Sequence, residues 1–348
     1  MYEQDLTASY INKQFTAVKP HIITLIKRIR DSKTFQETKS INKYFNGSKQ
    51  YKTRDQKKLV QFILHLMQFD FQSGRIDVSA HPFTTALGVN DVRITNKYKK
   101  DDFRDSLSSS MHEAGHALYE QNINPLYKGT PLEGGVSLGI HEAMSRFYEN
   151  QIGRNTEFLS YLTPLLQAVY PSELLDLDPQ TVTLLFNLVK PGNIRIEADE
   201  VTYTMHIILR FELENDLING TLSVSDAPDA WNYKMKQYLG IEPPTDTEGI
   251  LQDVHWAYGS FGYFPSYALG NLYASQFYKV MNKDFNISSE LKHGNLPIVS
   301  QWLKKHVYQF GSLYLPKDLI RKVSGEKLNA EYFIEYLNEK YTGIYKLK

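Results

Sequence analysis

The 348-residue sequence contains no cysteine. That excludes a disulfide-stapled fold, a thiolate metal site and a cysteine nucleophile. It has no run of eighteen apolar residues, so no membrane-spanning helix and no membrane partner are expected. It carries no charge excess, with 39 Lys and Arg against 39 Asp and Glu, which removes the case for binding nucleic acid or an anionic membrane in bulk. The opening MYEQDLTASY has no basic stretch followed by an apolar one, so no signal peptide is expected and a cytoplasmic location is the default. No internal repeat, low-complexity tract or Pro/Gly/Ser-rich linker interrupts the chain. One continuous domain over residues 1–348 is therefore expected, with two lobes around a cleft as a variant of the same reading.

What is present is ordinary globular material: 42% hydrophobic and 22% charged residues, enough for a sizeable core. The 24 tyrosines fit core packing better than a phenol-lined cleft when taken alone. Most of the chain has helical periodicity. DQKKLVQFILHLMQFDF places Leu59, Phe62, Ile63, Leu66 and Met67 at helical spacing, with Asp55 as N-cap. TVTLLFNLVK, QWLKKHVYQFG ending at Gly311, and NAEYFIEYLNEKY capped by Asn329 are further expected helices. EVTYTMHIILRFELENDLI is apolar around much of its circumference, which predicts a helix deep in the core. HPFTTALGVNDVRITNKY breaks the pattern. Its β-prone runs at 83–87 and 92–95, with Gly88 and Asn90 between them, predict a small hairpin in a mainly α protein.

The chemistry concentrates in SSSMHEAGHALYEQ. Residues four apart on a helix share one face, so His112 and His116 can reach a single cation. Glu113, beside the first ligand, can take a proton from a metal-activated water. Ser108–Ser110 offer N-cap hydroxyls. A chance match to this pattern arises in about 3% of chains of such composition, and a hydrogen-bonded histidine pair is the competing reading. A third ligand is therefore required. No histidine follows at short spacing, but GGVSLGIHEAMSRFYEN offers Glu142 on a helix expected from Ile140 to Asn150. Two histidines and one glutamate suit Zn2+, and Co2+ or Mn2+ can occupy the same set. His141 is expected beside the ligands rather than among them, and Glu149 or Asp199 can orient a ligating imidazole.

Six short motifs then occur in order: HPF at His81–Phe83, DVRIT at Asp91–Thr95, HEAGH at His112–His116, HEAM at His141–Met144, IRIEAD at Ile194–Asp199 and GILQDVHW at Gly249–Trp256. GYFPSY at Gly262–Tyr267 follows. With these the chain resembles the carboxypeptidase Taq family of zinc metallocarboxypeptidases. The chain has Ala143 where the family commonly has serine, and it looks like a short form lacking part of the family's N-terminal helical region. The resemblance implies release of single C-terminal residues from peptides with broad specificity. It also implies a helical metallopeptidase fold related to the neurolysin-like gluzincins, with a small sheet beside a deep cleft, and a homodimer.

The oxyanion formed during hydrolysis needs donors beyond the metal, for which His255, Tyr263 and Tyr267 are the candidates. The resemblance favours His255 with Tyr267. A free peptide carboxylate calls for a guanidinium, Arg93 or Arg195, and Gln252 joins them as a substrate-binding candidate. A structural ion pair of Arg195 with Glu197 or Asp199 competes with that role. The alternatives for the whole chain are an endopeptidase or dipeptidyl carboxypeptidase on the same zinc site, or an inactive zinc-containing peptide-binding module.

Overall fold

The computed structural model describes residues 2–41, 44–45, 47, 49–88 and 90–348. Helices dominate it, and its buried apolar side chains form a continuous cluster that runs from Ile11 to Tyr345. Among the described residues no helix is long and apolar enough to cross a membrane.

The small sheet has three strands: β1 (Gly74–Val78), β2 (Thr84–Gly88) and β3 (Asp91–Asn96), in the order β1-β3-β2. The expected hairpin is the antiparallel β2–β3 pair. β1, parallel to β3, is an addition that the sequence reading did not contain. Side chains alternate across a strand, so Val92 and Ile94, both fully buried, share one face with Thr84, which pairs with Ile94. Arg93 points to the opposite face.

The helix expected around residues 55–69 spans Thr53–Leu66 and buries Gln56, Leu59, Val60, Ile63 and Leu64. Its N-cap is Lys52, and Asp55 lies in the first turn, where its charge favours the helix N-terminus. The core helix Glu200–Ile218 is buried on nearly all sides, as its composition predicts. Asp199 caps it, accepting from the main-chain N–H groups of Val201 and Thr202 at 3.0 Å each. The helix beginning at Leu296 stops at His306, and a short 3-10 turn leads on to Gly311. The C-terminal helix Glu331–Tyr345 has Ala330 at its N-cap, while Asn329 accepts from the N–H of Glu331 at 3.0 Å.

Helix Pro265–Asp284 packs along helix Leu138–Arg146. A Cβ at Gly270 would lie 2.6 Å from Cγ of Glu142, so only glycine lets the two helices meet there. Glu3 ties the same pair from outside. Its carboxylate accepts from the Gly139 N–H at 3.0 Å and from the Tyr273 hydroxyl at 2.9 Å.

Candidate active site

His112, Glu113 and His116 lie on helix Arg104–Gln121. This helix begins before Ser108–Ser110, so those serines are interior rather than capping, and Ser110 Oγ donates to the Leu107 carbonyl at 2.8 Å. Contacts with the following segment pair His112 with Glu149, His116 with His141 and Tyr119 with Val136. One series rises as the other falls, so the Glu142 helix runs antiparallel to the histidine helix. The crossing is tight: a Cβ at Gly115 would sit 2.6 Å from the Ser145 Cα. The helix expected to reach Asn150 is α-helical over Leu138–Arg146 and continues as a π-helical turn over Phe147–Ile152. Such turns often mark functional sites.

Glu142 Oε2 lies 3.7 Å from His112 Nε2 and 3.5 Å from His116 Nε2. The three ligand atoms all fall within 4.8 Å of one another. A tetrahedral zinc with bonds of about 2.0–2.1 Å separates its ligand atoms by about 3.4 Å, so this donor set fits a divalent cation with little movement. Each ligand is held from behind. His112 Nδ1 is 2.9 Å from Glu149 Oε2, and His116 Nδ1 is 2.8 Å from Nδ1 of His141. His141 Nε2 in turn meets Glu120 Oε1 at 2.7 Å. Arg146 donates from Nε to Glu142 Oε1 at 2.7 Å and from Nη1 to Glu149 Oε2 at 3.1 Å, with its guanidinium 4.1 Å from the centre of the Tyr203 ring. Arg154 Nη2 donates to Glu149 Oε1 at 3.1 Å.

Burial is the largest single influence on the pKa of Glu142 and Glu149 and works to raise both, but Arg146, His112 and their other cationic partners together outweigh it and hold both carboxyls well below the usual carboxylate range. Burial would lower His112, yet Glu142 and Glu149 raise it overall. His116 is lowered, with burial the largest cause. The centre therefore presents anionic oxygen to ring nitrogen, the polarity a cation requires.

Glu113 faces the sheet. The Thr84 hydroxyl lies 2.6 Å from Glu113 Oε2 and 3.0 Å from its main-chain carbonyl, which joins edge strand β2 to the candidate base. On the far side, Tyr203 leads from Arg146 to the aromatic candidates, with its ring 6.4 Å from that of Tyr267. His255 Nε2 is 3.1 Å from the Tyr267 hydroxyl, and the Tyr263 ring lies 5.2 Å from His255 and 5.3 Å from Tyr267.

The three substrate-binding candidates fare differently. Arg93 lies on the sheet face away from Glu113 and pairs with Asp91 at 2.7 Å, its side chain 46% exposed. Its orientation and its pairing with Asp91 do not bring it together with the other candidates. Gln252 donates to the carbonyls of Asn193, Glu248 and Gly249 and accepts from the Arg195 N–H at 2.7 Å, so both ends of its amide are engaged by the backbone. Arg195 is 6% exposed and pairs with Asp253, not with Glu197 or Asp199. Its guanidinium lies 4.9 Å from the Tyr267 ring, inside the aromatic group. Asp253 also accepts from Arg210 Nε at 2.6 Å. The two arginines, after the larger opposing push of burial, bring its pKa to about 2.

Arg146, Glu120, Thr84, Asp253 and Arg210 were absent from the sequence reading. Arg146 follows Glu142 by four and Glu149 follows it by seven, so helical spacing alone places all three on one face. Thr84 and Arg210 carry no local signal, because their partners are distant in sequence.

Over residues 1–341 the chain matches the family described as carboxypeptidase Taq (M32) metallopeptidase. It is 42% identical over 348 residues to carboxypeptidase 1 of Bacillus subtilis (strain 168), a match that covers 100% of this chain and 68% of that protein. To thermostable carboxypeptidase 1 of Pyrococcus furiosus it is 40% identical over 345 residues, covering 98% of this chain and 68% of the relative. The M32 carboxypeptidase structure from Deinococcus radiodurans R1 superposes with a TM-score of 0.94 at 33% identity, over 99% of this chain and 69% of that one. The chain spans 68% of the length of each of the Bacillus subtilis and Pyrococcus furiosus carboxypeptidases.

Proposed function

Because the chain belongs to the carboxypeptidase Taq (M32) family, and is therefore a metal-dependent peptide hydrolase of the metallocarboxypeptidase kind, we propose that His112, His116 and Glu142 hold Zn2+ and that Glu113 is the general base. The observation that carries this reading is the approach of Glu142 Oε2 to both imidazoles, at 3.7 and 3.5 Å. Bound zinc supplies Lewis acidity that polarises the scissile carbonyl and brings the pKa of a water toward about 7. Glu113, held by Thr84, accepts the proton of the attacking water and passes it to the leaving nitrogen. His255 and Tyr267 donate to the developing oxyanion, with Tyr263 in the same group.

Arg195 receives the peptide's free carboxylate in this reading. Turning it toward substrate leaves Asp253 still paired with Arg210, so no buried carboxylate is stranded. Gln252 holds the Arg195 backbone, and Arg93 serves the surface pair with Asp91. Substrate backbone adds along the free edge of β2, the strand that carries Thr84. Single residues leave the C-terminus with broad side-chain tolerance. The continuous core supports one catalytic domain over 1–348. A homodimer follows from the family reading, and a chain without cysteine suits the reducing cytoplasm.

The test is digestion of one peptide as free acid and as C-terminal amide, read by mass spectrometry with and without a chelator. A ladder of single C-terminal losses, confined to the free acid and abolished by chelation, is expected. Cleavage of the amide at undiminished rate would favour an endopeptidase, and losses in pairs a dipeptidyl carboxypeptidase. Peptide binding by the zinc-loaded protein without turnover would favour an inactive module. Reconstitution with Co2+ and Mn2+ ranks the metals, and sedimentation measures the dimer.

A further inference from the structure

Two separate supports reach the metal ligands. One is Glu149, which sits on the π-helical turn Phe147–Ile152 and touches His112. The other is Tyr203, one turn inside helix Glu200–Ile218, on whose ring lies the Arg146 guanidinium that holds Glu142. Followed outward, both supports end at one buried ion pair. Lys340, on the C-terminal helix, donates to Glu200 Oε2 at 2.6 Å and to the main-chain carbonyl of Asn150 at 3.2 Å. Glu200 is the first residue of the helix that carries Tyr203, and Asn150 adjoins Glu149 on the π turn.

The pair is almost sealed from water, with side chains 10% and 2% exposed for Lys340 and Glu200. Two tyrosines complete it: Tyr336 OH is 2.7 Å from Glu200 Oε1 and 3.3 Å from the Asn150 carbonyl, and Tyr341 OH donates to Glu200 Oε2 at 2.8 Å. An ammonium beside a main-chain carbonyl near the end of a helical segment also meets the negative end of its dipole. A buried pair of this kind adds little net stability over apolar side chains of the same volume, and fixing a geometry is one use such pairs have.

We propose that Lys340 and Glu200 are positioning residues for the metal centre. They clamp the π turn that aims Glu149 at His112 and the helix start that aims Tyr203 at Arg146. The proposal rests on the metal reading above. It assigns the C-terminal helix a role in metal retention although none of its residues touches a ligand.

The test uses the full chain with Lys340→Met and Glu200→Gln combined, so that neither charge is left buried alone. Zinc affinity is read by competition with a chromophoric chelator well below the melting temperature, and kcat and KM are read at saturating zinc. The double variant should bind zinc about tenfold more weakly and lose kcat with KM within about twofold, by analogy with other outer partners of metal ligands. The single variant Lys340→Arg, with Glu200 intact, should keep most of the wild-type affinity, because it retains a cation and its donors opposite the carboxylate. Wild-type zinc affinity and kcat in the double variant, with only a lower melting temperature, would reduce the clamp to ordinary packing and overturn the proposal. If the double variant does not fold, Tyr336→Phe removes one hydroxyl and no charge, and the same readouts decide, with a loss of about threefold expected. A wild-type protein that takes up no zinc defeats the metal reading first, so the two failures are distinguishable.

Discussion

The hydroxyl of Thr84 stands 2.6 Å from Oε2 of Glu113, so a residue of the sheet's edge strand holds the carboxylate assigned as base. Replacing Glu113 by glutamine should lower kcat by about 10²–10⁴-fold while zinc stays bound, since the amide cannot accept the proton. Thr84→Val keeps the shape and removes the hydroxyl. It should lower kcat by about tenfold or more, the worth of a hydrogen bond to a charged group, with zinc content unchanged. Steady-state kinetics with metal analysis on the same samples checks both. Full activity in Thr84→Val would show that Glu113 is held by other means.

Glu149 acts one step behind the metal. Glu149→Gln keeps the size of the side chain and removes the charge facing His112 Nδ1, Arg146 and Arg154. Zinc affinity should weaken by about 10–100-fold. Chelator competition measures it, and an unchanged constant would remove Glu149 from the metal's support.

Gly270 tests the helix contact that seats Glu142. In an ordinary helix interior Gly→Ala gains about 1 kcal/mol. Here the new Cβ would lie 2.6 Å from Glu142 Cγ, so Gly270→Ala should cost about 1–3 kcal/mol by overpacking and weaken zinc binding as Glu142 shifts. Calorimetry on the metal-free protein isolates the first effect, and a raised melting temperature would contradict it.

Stability should fall with rising pH through Glu3. Burial pushes its carboxyl up to about 7, against hydrogen bonds from Ser137, Tyr273 and Gly139 that act in the opposite sense. Between the ordinary value of 4.5 and about 7 the folded chain holds a proton that the unfolded chain has released. The contribution is therefore complete below the lower value and lost as pH rises through the upper one, at no more than about 1.4 kcal/mol per pH unit. Melting temperatures of the wild type across that window should decline more steeply than those of Glu3→Gln. Parallel curves would assign the dependence to other groups.

The local part of this architecture was readable from the chain. His112 and His116 share a face by spacing, Glu142 lies on a second helix, and the β-prone runs flanking Gly88 do pair. Boundaries were less legible. Ser108–Ser110 look like caps, but the helix starts at Arg104, and Asn329 contributes a cap-like hydrogen bond one residue outside the assigned N-cap. β1 is hard to read from the chain because it is five residues long with only two apolar side chains, Ile76 and an exposed Val78, too few for the alternation to stand out. The expected alternative of an ion pair for Arg195 named the nearby Glu197 and Asp199, whereas its partner, Asp253, is 58 residues away. What distinguishes a solvent-facing arginine from a buried one is tertiary, and no periodicity encodes it.

The close approach of the two Nδ1 atoms of His116 and His141 decides where hydrogens sit. Only one hydrogen fits between two nitrogens at 2.8 Å. For Nε2 of His116 to offer a lone pair to a cation, its hydrogen must lie on Nδ1 and point at His141. His141, accepting there, carries its own hydrogen on Nε2 and gives it to Glu120, 2.7 Å away. Occupation of the centre thus selects one tautomer in each of two rings, and the orientation extends to a carboxylate that never meets the ion.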